Sequence, residues 1–114
     1  MLVSIGGTRY NFYFSYCHDR EGRPTQSSCH IEQDDPENEE NHMVEVAAGY
    51  AYCHPDDVFS KERARKITLT RALEELFPYT EDTTRNWNNM LNRRFFWDVY
   101  LNRKNRAAML NGNR

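Results

Sequence analysis

Apolar and polar positions alternate along the first half of the chain and fall at helical spacing along the second. From Thr8 to Tyr16, the residues Tyr10, Phe12, Phe14 and Tyr16 alternate with Arg9, Asn11, Tyr13 and Ser15. A period of two sends successive side chains to opposite faces of a strand, so this run predicts one. Tyr13 makes the second face partly aromatic, and cover on both sides is expected. Leu2–Ile5 is a short apolar run, and Gly6-Gly7 after it predicts a two-residue hairpin, because both glycines accept positive φ. Thr25–Gln33 reads as a further strand, with Ser28, His30 and Glu32 on one face and Ser27, Cys29 and Ile31 on the other. His42–Cys53 returns to strand character: Val44 and Val46 share a face, and Tyr50 and Tyr52 alternate with Ala51 and Cys53. Ala47, Ala48 and Gly49 interrupt it with small residues, which marks a bulge or a close backbone approach. His54-Pro55 closes the strand, since proline restricts the residue before it.

The period changes after this point. Ser60–Phe77 predicts a first helix whose apolar stripe is Leu69, Ala72, Leu73, Leu76 and Phe77. Ile67 falls nearly opposite, beside Arg63 and Arg71, and marks a second contact surface. Pro78 ends the helix, and Glu81–Thr84 carries the acidic and hydroxyl residues of a new N-terminus. Thr84–Lys104 predicts a second helix. Trp87, Met90, Leu91, Phe95, Trp97 and Leu101 cover one wide face; Phe96, Val99 and Tyr100 lie on the other with Asn89, Asn92, Arg93 and Arg103. A helix apolar nearly all round is buried on more than one side, and in so small a domain that points to another subunit. The expected fold is α+β: an antiparallel three- to four-stranded sheet followed by two C-terminal helices, homo-oligomeric. One domain spans 1–114, with the sheet in 1–53, a helical half in 54–105 and a flexible tail in 106–114.

Composition narrows the partners. The 114 residues carry a net charge of −2, which argues against a protein that coats a DNA or RNA duplex electrostatically. No basic leader or membrane-length apolar run occurs, so neither a signal peptide nor a membrane partner is expected. Three Cys is an odd count, incompatible with a full disulfide framework, and reads as a reduced, cytosolic protein. Aromatic residues make up 13% of a polar chain, more than one small core accommodates, so some are expected at a protein or ligand contact. Asp34–Asn41 is an acidic, proline-containing loop, solvated and mobile by composition.

Three constellations could carry chemistry. Cys17-His18, Cys29-His30 and Cys53-His54 are adjacent pairs, but neighbours in a strand point to opposite faces, and the spacing of a zinc site is missing. No metal site and no cofactor are expected. The second is the helix start, where Lys61, Arg63, Arg65 and Lys66 follow Asp56 and Asp57. A helix N-terminus carries partial positive charge and disfavours cations. Either the carboxylates offset the cluster or an anionic ligand sits there, bound by charge-assisted hydrogen bonds. The bland alternative is a solvated basic face. The third is the second helix, where Asn92, Arg93, Phe96, Trp97 and Arg103 combine base-edge donors and acceptors, phosphate binders and stacking rings. Against that stands a reading in which Arg94 pairs with Asp98 one turn later and the rings are core. No Walker loop, dinucleotide fingerprint, serine elbow or paired catalytic carboxylates appear. Nothing requires an enzyme.

The run Tyr50–Leu73, with its strand ending in Cys53, the turn Pro55-Asp56-Asp57-Val58-Phe59 and the helix bearing Arg65-Lys66 and Leu69-Thr70-Arg71-Ala72, resembles a pattern of small phage proteins. Ala64 stands where glycine is usual in that pattern. Together with the hairpin strands before it and a last helix rich in Trp, Arg and Asn, it is similar to the first-described phage anti-Thoeris sponge family. That resemblance implies a non-catalytic, phage-encoded protein acting in the host cytoplasm. It also implies sequestration of cyclic ADP-ribose-type signals, in some members cyclic oligonucleotides, by a homo-oligomer, a hexamer, with pockets between subunits.

The expected function is capture of a cyclic nucleotide signal of bacterial immunity without cleavage. Arg63, Arg65 and Lys66 would bind phosphate, Asn92, Arg93 and Arg103 ribose, base or phosphate, and Phe96 or Trp97 would stack. Two other classes remain open: a protein–protein inhibitor of the anti-CRISPR kind using the acidic loop Asp34–Glu40, and a cyclic nucleotide hydrolase using His54, Asp56 and Asp57.

Overall fold

A computed structural model of the chain describes residues 1–37 and 42–104. It has four strands, β1 (Leu2–Ile5), β2 (Thr8–His18), β3 (Pro24–Asp34) and β4 (Met43–Tyr52), followed by helices α1 (Lys61–Leu76) and α2 (Thr83–Leu101). The strands form one antiparallel sheet in the order β1-β2-β3-β4. The expected α+β architecture is therefore the observed one, with four strands. Part of the acidic loop and the expected tail lie outside the described residues.

Local chemistry accounts for the connections. Gly6 and Gly7 have φ of 54° and 84°, the left-handed pair that a two-residue hairpin requires, and they set Ile5 opposite Thr8. Between β2 and β3, the Asp19 carboxylate accepts from the backbone N–H of Glu21 and of Arg23, both at 2.9 Å, and the Arg23 contact leads in lowering its pKa. Ser60 caps α1 by accepting from the Arg63 N–H, and Asp82 caps α2 by accepting from the Arg85 N–H.

Both helices lie on one face of the sheet. The core is built from Tyr10 and Phe12 of β2, Cys29 and Ile31 of β3, Ala47 of β4, Leu69, Ala72 and Leu73 of α1, and Phe96 and Tyr100 of α2. The rings of Tyr10, Phe77 and Phe96 form its aromatic centre, with centroids 5.4 to 6.2 Å apart. At Gly49 the α1 backbone comes so close that a Cβ would lie 2.1 Å from the Thr68 carbonyl oxygen and 2.5 Å from the Ala72 nitrogen. The small residues of β4 thus mark a close approach, and a register shift opposite Ile31/Glu32 adds a bulge just before it. The outward edge of β4 is also covered. Arg71 donates to the Tyr50 carbonyl and Glu75 accepts from the Ala48 N–H, so α1 side chains occupy groups that would otherwise template a further strand.

One expectation is corrected. No described element covers the face that carries Tyr13, which is 42% exposed. On α2, Trp87, Phe95 and Leu101 are exposed, whereas Arg93, Phe96 and Tyr100 face the sheet and α1. Phe96 and Tyr100 stand one turn apart with Arg93 and make the narrow stripe that packs inward.

Candidate functional site

The cations at the start of α1 do not converge. Arg65 Nε donates to the Tyr16 hydroxyl at 2.9 Å and its guanidinium lies over Phe14, while Lys61 lies over Tyr16. Lys66 lies 3.9 Å from Glu62, one turn back. Arg63 lines a groove beside the loop that follows β4. Neither Asp56 nor Asp57 pairs with any of them: Asp57 lines the same groove as Arg63, and Asp56 stays with His54. Rings and Glu62 take up most of the charge that looked misplaced, and Ser60 satisfies the helix end.

Glu62 is the junction of a second arrangement. Its Oε2 accepts from the Tyr100 hydroxyl at 3.0 Å and from Arg103 at 2.8 Å, while Arg103 also donates to the Tyr100 carbonyl and lies 4.0 Å from its ring. The Tyr100 hydrogen bond leads in lowering the Glu62 pKa, with Arg103 adding to it. Burial, then Glu62, pushes the Tyr100 phenol up to about 12. This latch ties the start of α1 to the end of α2, so Arg103 is engaged in holding the helices rather than free for phosphate.

Arg93 is likewise engaged. It is buried, donates to the carbonyl of Phe77 at the C-terminus of α1 and places its guanidinium 4.1 Å from the Tyr79 ring. Helix ends leave carbonyls without intrahelical partners, and Arg93 supplies one. Phe96 has no exposed surface and cannot stack on a ligand while the core is closed. Phe96 belongs to the core, which corrects its expected part in stacking, whereas Arg93 packs the helices together and also lines the groove between them. Asn92 is half-buried and makes no side-chain hydrogen bond among the described residues.

What remains open is a groove of about 360 Å³ between α1 and α2, lined by Thr70, Leu73, Glu74, Tyr79, Met90, Arg93, Arg94 and Trp97. Tyr79 and the half-buried Trp97 give it aromatic walls, and Trp97 is held edge-on by Tyr100 at 6.0 Å. Arg94 lies on its rim with no hydrogen bond or ion pair among the described residues; the expected pair with Asp98 does not form. A second groove, of about 490 Å³, separates the β4–α1 loop from α1 and is lined in part by Tyr52, Val58, Phe59, Arg63 and Ile67. Arg63 has no described partner there either. Ile67, off the main stripe, faces this groove.

Of the residues expected to bind a ligand, Trp97 lines the first groove and Arg63 the second; Arg94 and Tyr79, which line the first, were not among those expected. The signal available for Arg94 was weak, since an Arg–Asp pair at i,i+4 is the ordinary outcome on a helix surface. The Cys–His pairs divide as strand alternation demands: Cys29 is buried in the core, where burial pushes its thiol up to about 12, and His30 lies on the opposite face. His54 Nδ1 accepts from the Asp56 N–H at 3.2 Å in the loop after β4. No helix among the described residues is long and apolar enough to cross a membrane. The chain matches no protein-family model, no curated protein and no solved structure.

Proposed function

We propose that the groove between α1 and α2 captures, without cleaving it, a small anionic ligand bearing a planar ring. The ligand class is the cyclic nucleotide signal implied by the resemblance, sequestered in the host cytoplasm by a phage-encoded homo-oligomer. The observation that carries the reading is Arg94, whose guanidinium has no partner among the described residues, on the rim of a groove walled by Tyr79 and Trp97. A ring stacks on such walls while a phosphate takes the bidentate fork of the arginine. Arg63, unpaired at the second groove, offers a further phosphate contact. Exposed Trp87, Phe95 and Leu101 on α2 supply apolar surface for contacts between copies.

The test is titration calorimetry with cyclic ADP-ribose-type and cyclic dinucleotide ligands, followed by heat denaturation and assay of the released compound. The expected result is binding with the ligand recovered intact. Arg94→Ala is expected to weaken it by about tenfold or more, the loss of one charge-assisted hydrogen bond, at unchanged melting temperature. No heat with either ligand class, or undiminished binding by Arg94→Ala, would overturn the assignment. An altered product would replace capture by turnover.

A further inference from the structure

The face of the sheet away from the helices carries a hydrogen-bonded chain of four side chains. Glu45 Oε1 lies 2.5 Å from His30 Nδ1, His30 Nε2 lies 3.0 Å from Ser28 Oγ, and Ser28 Oγ lies 2.6 Å from Ser15 Oγ. Ser15 Oγ also stands 3.4 Å from the same Nε2. With the Glu45 carboxylate accepting from Nδ1–H, Nε2 is left as the acceptor toward the two hydroxyls. That is the tautomer a general base needs.

Register assembles the set. Ser15 is directly opposite Ser28, and Tyr13 is opposite His30. Glu45 arrives through the bulge. Ile31 pairs with Ala47, but the next residue, Glu32, pairs with Glu45, so Val46 is the extra residue. Without that insertion Glu45 would fall opposite Gln33 and on the helix-covered face. With it, Glu45 shares the open face with His30. The imidazole is then held between rings, stacked on Tyr13 at 5.1 Å and edge-on to Tyr50 at 6.1 Å. Ser28 is buried, whereas Ser15 is exposed to solvent.

We infer that this open face is a nucleophilic serine site, with Ser15 as nucleophile, His30 as general base and Glu45 as its positioning residue, acting on uncharged aryl esters. It is distinct from the helix groove and independent of the ligand proposed there. The Ser15 oxygen bonds to the acyl carbon as its proton passes to His30 Nε2, directly or through the Ser28 hydroxyl. The bond from the acyl carbon to the leaving oxygen breaks, and that oxygen takes the proton from Nε2. Water then attacks the acyl-serine, gives a proton to Nε2, and releases the acid as the Ser15 oxygen recovers its proton. The flanking tyrosines favour an aromatic leaving group. Glu32 and Glu45 on the same face disfavour an anionic substrate, and their charges join burial in raising the Tyr13 pKa.

The experiment treats the full chain with a fluorophosphonate probe and maps the adduct by peptide mass spectrometry. A single adduct on Ser15 is expected. Its formation should slow by about 100-fold in His30→Ala and be restored there by free imidazole in solution. Glu45→Gln should slow it by at least about tenfold while leaving the melting temperature in place. Ser15→Ala should abolish it and the release of nitrophenol from p-nitrophenyl acetate. No adduct, an adduct on any other residue including Ser28, or His30→Ala labelled at the wild-type rate would overturn the assignment.

Discussion

Phe12 and Tyr13 are neighbours in one strand, and they belong to two different environments. Phe12 has no exposed surface and meets Phe14 and Phe96; Tyr13 is 42% exposed and meets His30. The same division holds across the sheet. The covered face presents Cys29, Ile31 and Ala47 together with Gly49, whose missing side chain lets the α1 backbone settle on the strand. The open face presents Ser15, Ser28, His30, Glu45 and Tyr50, joined by hydrogen bonds and ring contacts. One face excludes water by close packing; the other keeps polar groups paired where a solute can reach them. Close packing thus marks the first face and paired polar side chains the second, while the candidate groove lies apart, between α1 and α2.

That contrast can be strained from its strongest point. Gly49→Ala places a Cβ into the Thr68 carbonyl and the Ala72 nitrogen, both backbone atoms that cannot step aside alone. A loss of about 4 kcal/mol or more in urea unfolding is expected, at the extreme of single substitutions. Phe12→Ala should lose about 3–5 kcal/mol by the same measurement, the cavity effect of a buried ring. Tyr13→Ala, one residue on, should lose less than about 1 kcal/mol. Equal losses at Phe12 and Tyr13 would mean that the open face is covered in solution, and the comparison would fail.

The smallest effect concerns the latch that closes the helices over the covered face. The folded-state pKa of Glu62 lies below its ordinary value of 4.5, so its stabilising contribution is present above that value and lost as pH falls through the folded one. Tyr100 has the opposite sign. Its folded pKa of about 12 exceeds the ordinary 10, so its contribution is present below pH 10 and lost between 10 and 12. The urea midpoint should fall at both extremes. Glu62→Gln should flatten the acid limb, and Tyr100→Phe the alkaline one. Limbs unchanged in these variants would place the titrating groups elsewhere.

Much of the fold was legible because it depends on local rules. The alternation from Tyr10 to Tyr16 gave β2, and Gly6-Gly7 gave the hairpin. The split of Ser27, Cys29 and Ile31 from Ser28 and His30 gave the two faces of β3. Less of the site was legible. Arg93 and Arg103 look like phosphate ligands until the Phe77 carbonyl and Glu62 are seen beside them. Arg94 looks paired until Asp98 is seen to leave it free. Such partners are 16 residues from Arg93 and 41 from Arg103, beyond the range of any pattern read along a helix.

The sequence by itself determined where strands and helices run and which side chains share a face, since those follow from periods of 2 and about 3.6 residues written into neighbouring positions. Only the tertiary structure decided which faces meet and in what register. The chain of Ser15, Ser28, His30 and Glu45 draws on three strands and on one extra residue at Val46, and a slip of a single position would send Glu45 to the opposite face. Pairing across strands is set by packing and turn geometry far along the chain, so the chemistry it brings together appears only when the sheet has formed.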